Sequence, residues 1–263
     1  MASSIAGPRL VIAENSAGIG ERVAEALSAL SIAAVEERGR FTIALSGGSM
    51  PKLLAAMINQ SSIPWAQWHV FFVDERCVAL DDDDSNYKHC KAHLFDKVGI
   101  PENQIYPINP ALSPEEMARE YQGRLESFFG TEEVPVFDAI LLGMGPDGHC
   151  ASLFPGHPLV DLSDPSIWIA SIADSPKPPP NRITFTLPII NSAREVLFLA
   201  GGASKAPLFS EIFETSQDGA RITYSSTAEY PVVKVHAANH LTWYIDSAAA
   251  ERINEAVISL SEH

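Results

Sequence analysis

Short apolar runs rich in β-branched residues recur along the chain at intervals that leave room for a helix between them. This alternation restricts the fold more than any other feature, because near-continuously apolar strands are typical of parallel sheets that are buried on both faces. Eight runs have the length of a strand, and they lie at residues 10–13, 41–45, 69–73, 137–142, 167–172, 183–187, 196–200 and 242–245.

Six segments between these runs show helical patterns, at residues 17–37, 51–59, 86–98, 114–129, 204–214 and 248–260. The clearest helix start is at Ser113, since Glu116 completes an S-x-x-E capping box and Pro114 occupies the first turn. Strands separated by helix-length connections predict an α/β fold with a parallel sheet flanked by helices. The same pattern continues on both sides of the proline-rich residues 175–181, so we expect an ordered loop there, within one domain that spans residues 1–263.

The charge of the chain limits its possible partners. Its 263 residues include 18 Lys or Arg and 33 Asp or Glu, which gives a formal net charge of −15. Such a chain repels phosphate backbones and anionic lipid headgroups, so neither nucleic acid nor a membrane surface is an expected partner. An anionic small molecule is a possible ligand only where basic side chains cluster locally.

Cysteine usage and segment hydropathy bear on location. Cys77, Cys90 and Cys150 form no C-x-x-C pair, so neither a disulfide framework nor a zinc ribbon is indicated. Residues 1–12 lack the basic and apolar regions of a signal peptide, and no segment approaches the ~20 apolar residues of a membrane span. We therefore expect a cytoplasmic protein with reduced thiols.

A Ser-Gly-Gly-Ser turn follows the predicted strand at residues 41–45 and precedes a helix that opens at Pro51. Glycines let the backbone approach a ligand closely, and free N–H groups at a helix start bind anions. Ser46, Gly47 and Gly48 are therefore candidate phosphate ligands. The segment lacks the residues of a Walker A loop and of a dinucleotide fingerprint, and a tight turn without a ligand is the alternative interpretation.

Asp74 and Arg76 lie at the carboxyl end of the next predicted strand, where open α/β sheets bind ligands. Charged residues directly after a buried strand are often only solvated turn residues, so this position alone leaves both interpretations open. The acidic run at residues 81–84 lacks the spacing of an EF-hand, and its charge complements the positive end of the following helix.

Asp147 and His149 lie in a glycine-rich turn that follows another buried strand. A neutral imidazole is suited to take a proton from water, and a nearby carboxylate can fix its tautomer. This pair is therefore the candidate catalytic site. Cys150 follows His149 directly, but adjacent side chains usually point apart, so a small buried residue is expected there rather than a nucleophile.

Arg182 and Lys205 supply positive charge at the predicted ends of strands or starts of helices, as Arg76 does. Each of them alone is consistent with ordinary surface charge. Their coincidence with the Ser-Gly-Gly-Ser turn predicts a phosphorylated substrate.

Taken in order, these segments resemble the family of 6-phosphogluconolactonases and glucosamine-6-phosphate isomerases/deaminases. The matching segments are LSGGS (45–49), DER (74–76), SNY (85–87), GMGPDGH (143–149), ASLFPGHP (151–158), SPKPPPNRITFTLPIIN (175–191), GGASKA (201–206), TWYID (242–246) and AAA (248–250). Arg76 and the Ser-Leu-Phe-Pro segment at residues 152–155 resemble the lactonase branch rather than the deaminases. Cys150 departs from the threonine that is frequent in the lactonase motif.

The resemblance implies a single Rossmann-like α/β domain that hydrolyses 6-phospho-D-glucono-1,5-lactone to 6-phosphogluconate, the second step of the oxidative pentose phosphate pathway, without cofactor or metal. His149 then corresponds to the general base, with Asp147 beside it. The substrate-binding and phosphate-binding positions correspond to Ser46, Gly47, Gly48, Asp74, Arg76, Arg182 and Lys205.

Two other functions are alternatives. An isomerase/deaminase would use Asp74 as a base on carbon, and a non-catalytic phosphosugar-binding protein would keep the anion site but have a damaged pair at Asp147 and His149. Both residues of that pair are present.

Overall fold

The computed structural model describes residues 7–262, and a parallel sheet forms its centre. Residues 1–6, part of the segment tested for a signal peptide, and residue 263 lie outside the described residues. The strands are β1 (Arg9–Ala13), β2 (Phe41–Leu45), β3 (Trp68–Phe72), β4 (Asp74–Arg76), β5 (Ala139–Gly143), β6 (Ile169–Ile172), β7 (Arg182–Phe185), β8 (Glu195–Ala200), β9 (Phe213–Thr215), β10 (Ile222–Tyr224) and β11 (His240–Asp246).

Six of these strands form one sheet in the order β1-β11-β8-β5-β2-β3, and every neighbouring pair is parallel. The helices are α1 (Ser16–Arg38), α2 (Met50–Leu54), α3 (Asn86–His93), α4 (Pro114–Phe129), α5 (Leu187–Ser192), α6 (Ala206–Ile212), α7 (Ser247–Ala250) and α8 (Glu255–Ile258). The prediction of a mostly parallel Rossmann-like sheet flanked by helices is confirmed.

The apolar strands divide their side chains between two cores, one on each face of the sheet. In β2, Ile43 packs in the core that contains α1, and its neighbour Ala44 packs in the core that contains α4 and α6. Successive strand residues point to opposite faces, so a strand covered on both sides has no polar face. This burial explains the continuous apolar runs in the sequence.

Two predicted strands lie outside the parallel sheet. β6 and β7 pair antiparallel with each other, and β7 pairs antiparallel with β4. The placement of residues 167–172 and 183–187 in the parallel sheet was therefore wrong. Residues 74–76 also form a strand rather than a turn, because β7 supplies a backbone partner that the local pattern does not reveal. The proline-rich residues 175–181 join β6 to β7.

Several helix predictions were correct only in part. The capping box at Ser113 and Glu116 is present, and α4 has the predicted bounds. The segment at residues 248–260 breaks into α7 and α8, because the side chain of Asn254 accepts from the N–H of Ala256 and starts a new helix. Helix α5 and the hairpin of β9 and β10 were not predicted.

Parallel strands end at one edge of the sheet, which we call the carboxyl edge. The loops after β2, β5 and β8 leave the sheet there, and β4 begins beside them. The segments that carry the predicted site residues therefore converge. Among residues 7–262, no helix combines the length and apolar character needed to cross a membrane.

Candidate active site

A cavity of about 260 Å³ opens at the carboxyl edge, and eight of the nine predicted site residues line it. These are Ser46, Gly47, Gly48, Asp74, Arg76, His149, Arg182 and Lys205. Asp147 does not line the cavity but contacts the ring of His149. Within the described residues, no group of three or more His, Cys, Asp or Glu side chains could hold a metal ion.

The loop after β2 presents backbone donors to the cavity. Gly48 has a φ of +70°, a conformation that favours glycine. A Cβ atom on Gly47 would lie 1.9 Å from Oδ1 of Asn86, so any larger residue there would displace this buried side chain. Within residues 7–262, the N–H groups of Gly47, Gly48 and Ser49 donate to no protein acceptor. We therefore assign the candidate anion site to these three loop N–H groups. The N-terminus of α2 is not assigned, because this helix has only five residues.

Asp74 joins three segments at the cavity wall through hydrogen bonds. Its Oδ1 accepts from the hydroxyl of Ser46 at 2.9 Å, and its Oδ2 accepts from the hydroxyl of Ser152 at 2.8 Å. The residue is only 4% exposed. Both oxygens are thus engaged with protein hydroxyls, and the Ser46 proton points at the carboxylate rather than into the cavity.

Glu75, the neighbour of Asp74, is buried and holds the start of α3. Its carboxylate accepts from the N–H groups of Arg76, Asn86 and Tyr87, each at 2.8 Å. Burial raises the pKa of Glu75 to about 7, although these three N–H groups oppose the rise. The amide of Asn86 in turn donates to the carbonyl of Asp74 at 2.8 Å, which places α3 beside the loop at Gly47.

The three predicted basic residues have different surroundings. Arg76 donates through Nη1 to the carbonyl of Asp84 at 2.7 Å. Arg182 is 3% exposed and donates to the carbonyls of residues 177, 178 and 179 and to the hydroxyl of Ser152. Four of its five N–H groups are therefore used within the protein. Burial lowers the pKa of Lys205, and the nearby Lys177 adds to this effect.

His149 and Asp147 form a close pair whose geometry fixes a tautomer. Nδ1 of His149 lies 2.5 Å from Oδ1 of Asp147. Two lone pairs cannot approach so closely, so a proton lies between the atoms and Nδ1–H donates to the carboxylate. Nε2 is then the basic nitrogen. Within residues 7–262 it has no hydrogen-bond partner, and the His149 residue lines the cavity.

The protonation states of this pair suit a base. Burial would raise the pKa of Asp147, but hydrogen bonds from His149 and Lys177 outweigh it and lower the pKa to about 2. Burial lowers the pKa of His149 below its ordinary value of 6.5, and Asp147 opposes this shift. At neutral pH the carboxylate is ionised and the imidazole is neutral.

The glycine-rich turn gives the pair its position. A Cβ atom on Gly145 would lie 2.0 Å from Nδ1 of His149, and one on Gly148 would lie 2.6 Å from the ring of Tyr230. The ring of His149 also packs against Phe154, with centroids 4.7 Å apart. Cys150 is buried, and burial raises the pKa of its thiol, which disfavours the thiolate that a nucleophile needs.

Sequence reasoning missed two residues of this region. Ser152 bridges Asp74 and Arg182, and Lys177 contacts both members of the His149 and Asp147 pair. Lys177 lies in the proline-rich segment, whose composition indicated only a stiff connection. One sequence signal could have identified Lys177. It is a positively charged residue in an ordered loop, and this loop leads to a strand beside the carboxyl edge.

Comparisons with known proteins identify the family of the chain. The family model described as glucosamine-6-phosphate isomerases/6-phosphogluconolactonase matches residues 14–243. The chain is 38% identical to the 6-phosphogluconolactonase of Rattus norvegicus, covering 90% of each chain, and 40% identical to a probable 6-phosphogluconolactonase of Schizosaccharomyces pombe, covering 90% of this chain and 95% of that one. The crystal structure of 6-phosphogluconolactonase from Thermotoga maritima is 26% identical with a TM-score of 0.75, over 91% of this chain and 100% of that one. The chain belongs to the glucosamine-6-phosphate isomerase/6-phosphogluconolactonase family.

Proposed function

We propose that the chain hydrolyses 6-phospho-D-glucono-1,5-lactone to 6-phosphogluconate, the second step of the oxidative pentose phosphate pathway. The observation that carries the proposal is the position of His149. Its Nδ1–H donates to Asp147, and the residue belongs to the same cavity lining as Lys205, Gly47 and Gly48. A base and an anion site in one cavity fit a phosphorylated ester. The curated relatives that bear the lactonase name support the same reaction.

In the proposed reaction, Nε2 of His149 takes a proton from a water molecule as the water oxygen bonds to the lactone carbonyl carbon. The carbonyl π electrons move to its oxygen and give a tetrahedral intermediate. When these electrons return, the bond to the ring oxygen breaks, and the imidazolium gives its proton to that oxygen. A positioned base of this kind contributes about 10²- to 10⁴-fold to the rate.

We infer that the phosphate is bound by the N–H groups of Gly47 and Gly48 and by the ammonium of Lys205. A dianion forms charge-assisted hydrogen bonds with such donors, and remote binding energy then holds the reactive carbon against the water. Ser46 and Asp74 shape the loop through their hydrogen bond. Arg76 faces the cavity and is assigned to the substrate, whereas Arg182 contributes charge and supports the surrounding loops.

We also infer that the protein acts in the cytoplasm on a small molecule and binds neither nucleic acid nor membranes. The formal charge of −15 and the free thiols support this inference. Some similar proteins are named chloroplastic, including the Oryza sativa subsp. indica relative, which is 43% identical.

The test is hydrolysis of the phospholactone by purified protein without added metal, measured against spontaneous hydrolysis. We expect rapid formation of phosphogluconate, poor activity on the unphosphorylated lactone, and a raised KM in Lys205→Met. Equal efficiency on both lactones would contradict the phosphate site. Ammonia release from glucosamine 6-phosphate, without lactone hydrolysis, would instead indicate a deaminase.

A further inference from the structure

We propose that Lys177 is a positioning residue that holds the Asp147 carboxylate and thereby keeps His149 in the tautomer and orientation of a base. The inference deepens the proposed function and rests on it. Lys177 lies in the loop between β6 and β7, and neither its position in the sequence nor the loop composition identified it as part of the site.

Three polar atoms, one each from Lys177, Asp147 and His149, form a triangle of short contacts. Nζ of Lys177 lies 2.9 Å from Oδ1 of Asp147 and 3.1 Å from Nδ1 of His149. The same Oδ1 lies 2.5 Å from Nδ1. One carboxylate oxygen therefore faces two nitrogen groups, and the proton positions follow from which contacts can be hydrogen bonds.

Only one proton arrangement satisfies the triangle. If Lys177 donated to Nδ1, then that nitrogen would present a lone pair to the carboxylate oxygen at 2.5 Å, which is repulsive. If Nδ1–H donates to Oδ1, Lys177 donates to the same oxygen, and both contacts are attractive. The 3.1 Å contact between Nζ and Nδ1 is then between two donors. It disfavours a second proton on the ring, because an imidazolium would lie beside an ammonium.

The buried Arg182 and the hydroxyl of Ser175 hold the backbone of Lys177. Nη2 of Arg182 donates to the carbonyls of Lys177 and Pro178, both at 3.0 Å, and Nε of Arg182 donates to that of Pro179 at 3.1 Å. Arg182 thus fixes the loop from a buried position, and the hydroxyl of Ser175 accepts from the N–H of Lys177 at 3.3 Å. The ammonium is delivered to Asp147 by an anchored segment rather than by a free surface side chain.

The charged groups around His149 come from four segments. Asp147 precedes it in the turn, Lys177 approaches from the loop between β6 and β7, and Asp74 lies in β4. Arg182 of β7 lies over Phe154, the ring against which His149 packs. The charge of Lys177 also lowers the pKa of Lys205, which follows β8. Among the groups that act on His149, Asp147 and Asp74 favour the imidazolium and Lys177 opposes it.

The experiment compares Lys177→Met, Lys177→Arg and Lys91→Met. The methionine keeps most of the length of the side chain without its charge, and the arginine keeps the charge. Lys91 of α3 forms an exposed ion pair with Asp96, which lies beyond the end of that helix, and serves as the matched control. Each folded variant is assayed for kcat, KM and the pH dependence of kcat/KM, after subtraction of spontaneous hydrolysis.

We expect Lys177→Met to lower kcat by about 10-fold, a part of the contribution of a positioned base, while KM changes less than about two-fold. The acid limb of its profile should move to higher pH, because the ring loses a neighbouring positive charge. In Lys177→Arg, the midpoint of the acid limb should lie closer to that of the wild type. In Lys91→Met, kcat, KM and the acid limb should all match the wild type. A raised KM with unchanged kcat would make Lys177 a substrate ligand and overturn the proposal, as would an unmoved acid limb.

A second measurement separates this proposal from the proposed function. Nitrogen-15 NMR of the imidazoles, without substrate, reports the tautomer and titration of His149 directly. We expect a protonated Nδ1 in the wild type and titration at higher pH in Lys177→Met. These results would stand even if the protein failed to hydrolyse the lactone. A wild-type Nε2–H tautomer, or identical titration in both proteins, would refute the role of Lys177.

Discussion

At the residue scale, the chemistry depends on how a few polar groups share hydrogen bonds. The motif around His149 allowed the sequence to predict the imidazole and its carboxylate, because both lie in one short turn. The contact from Lys177 was not predictable in the same way, since 28 residues separate it from His149. The use of Arg182 to hold backbone carbonyls was also unforeseen. A sequence shows that a cation is present but not which acceptors surround it.

His149 gives a prediction about pH. A general base must be unprotonated, so activity falls as the pH drops through the pKa of His149. Because burial lowers this pKa, we expect the acid limb of kcat/KM to have its midpoint below the ordinary value of 6.5. Rate measurements at constant ionic strength test this, and a midpoint above 6.5 would contradict the assignment.

Substitution of the same residue tests its role. We expect His149→Asn to lower kcat by about 10²- to 10⁴-fold in a folded protein, because the proposed reaction relies on His149 alone to take the proton from water. Binding of phosphogluconate should persist, since the proposed phosphate ligands are unchanged. Cys150→Ser serves as a neighbouring control that should keep most activity. Near-wild-type turnover in His149→Asn would remove the residue as the base, and loss of product binding would make it a substrate ligand.

At the element scale, buried carboxylates join strands to helix starts. Glu75 links β4 to α3 through three backbone N–H groups, and α3 then brings Asn86 to the loop at Gly47. The sequence predicted the start of α3, but it left residues 74–76 open between a ligand-binding position and a solvated turn and did not predict a strand there. The pairing of β4 with β7 joins segments more than a hundred residues apart, so local pattern alone could not identify it.

Glu75 makes stability depend on pH in a defined direction. Its pKa in the folded protein, about 7, lies above its ordinary value of 4.5, so the native state binds the proton more tightly. The contribution to folding is complete below pH 4.5 and is lost as the pH rises through about 7. We therefore expect the free energy of unfolding of the wild type to exceed that of Glu75→Gln by about 1–3 kcal/mol at pH 4.5, because the amide NH₂ would face N–H donors.

Urea unfolding of both proteins at pH 4.5 and pH 8 measures this difference. The difference in free energy of unfolding between the two proteins should be smaller at pH 8, where the wild type carries an ionised buried carboxylate. A gap that is the same at both pH values would show that Glu75 does not bind its proton more tightly in the native state.

At the scale of the whole molecule, the carboxyl edge of the parallel sheet and the opposite edge have different roles. The carboxyl edge carries the cavity, and the opposite edge is held by Asp138 at the start of β5. Its Oδ2 accepts from the N–H of Thr42 at 2.8 Å and from its hydroxyl at 2.9 Å, and its Oδ1 accepts from Arg38 at 2.8 Å. This carboxylate joins β5 to β2 and to the end of α1. Apolar runs that alternate with helical segments predicted the sheet and its flanking helices. Hydrogen bonds between residues 96 positions apart, such as that from Thr42 to Asp138, could be identified only from the structure.

We expect Asp138→Ala to lower the free energy of unfolding by about 2–4 kcal/mol, because it leaves a buried N–H and the Arg38 guanidinium without their acceptor. The kcat of the folded fraction should not change, since the residue lies at the edge opposite the cavity. Denaturant unfolding and assays well below the transition measure both quantities. A large fall in kcat with unchanged stability would contradict this division between the edges.

The order of strands in the sheet has a consequence for synthesis on the ribosome. β1 pairs with β11, which lies between β1 and β8 and follows β1 by more than two hundred residues. Within this sheet, β1 is made before the other five strands, and among residues 7–262 its only neighbour in the sheet, β11, is made last. Until β11 inserts, β1 and the adjacent edge of β8 expose unpaired backbone and apolar side chains. Closing so long a loop is slow, so this interval is when the nascent protein most needs protection from aggregation.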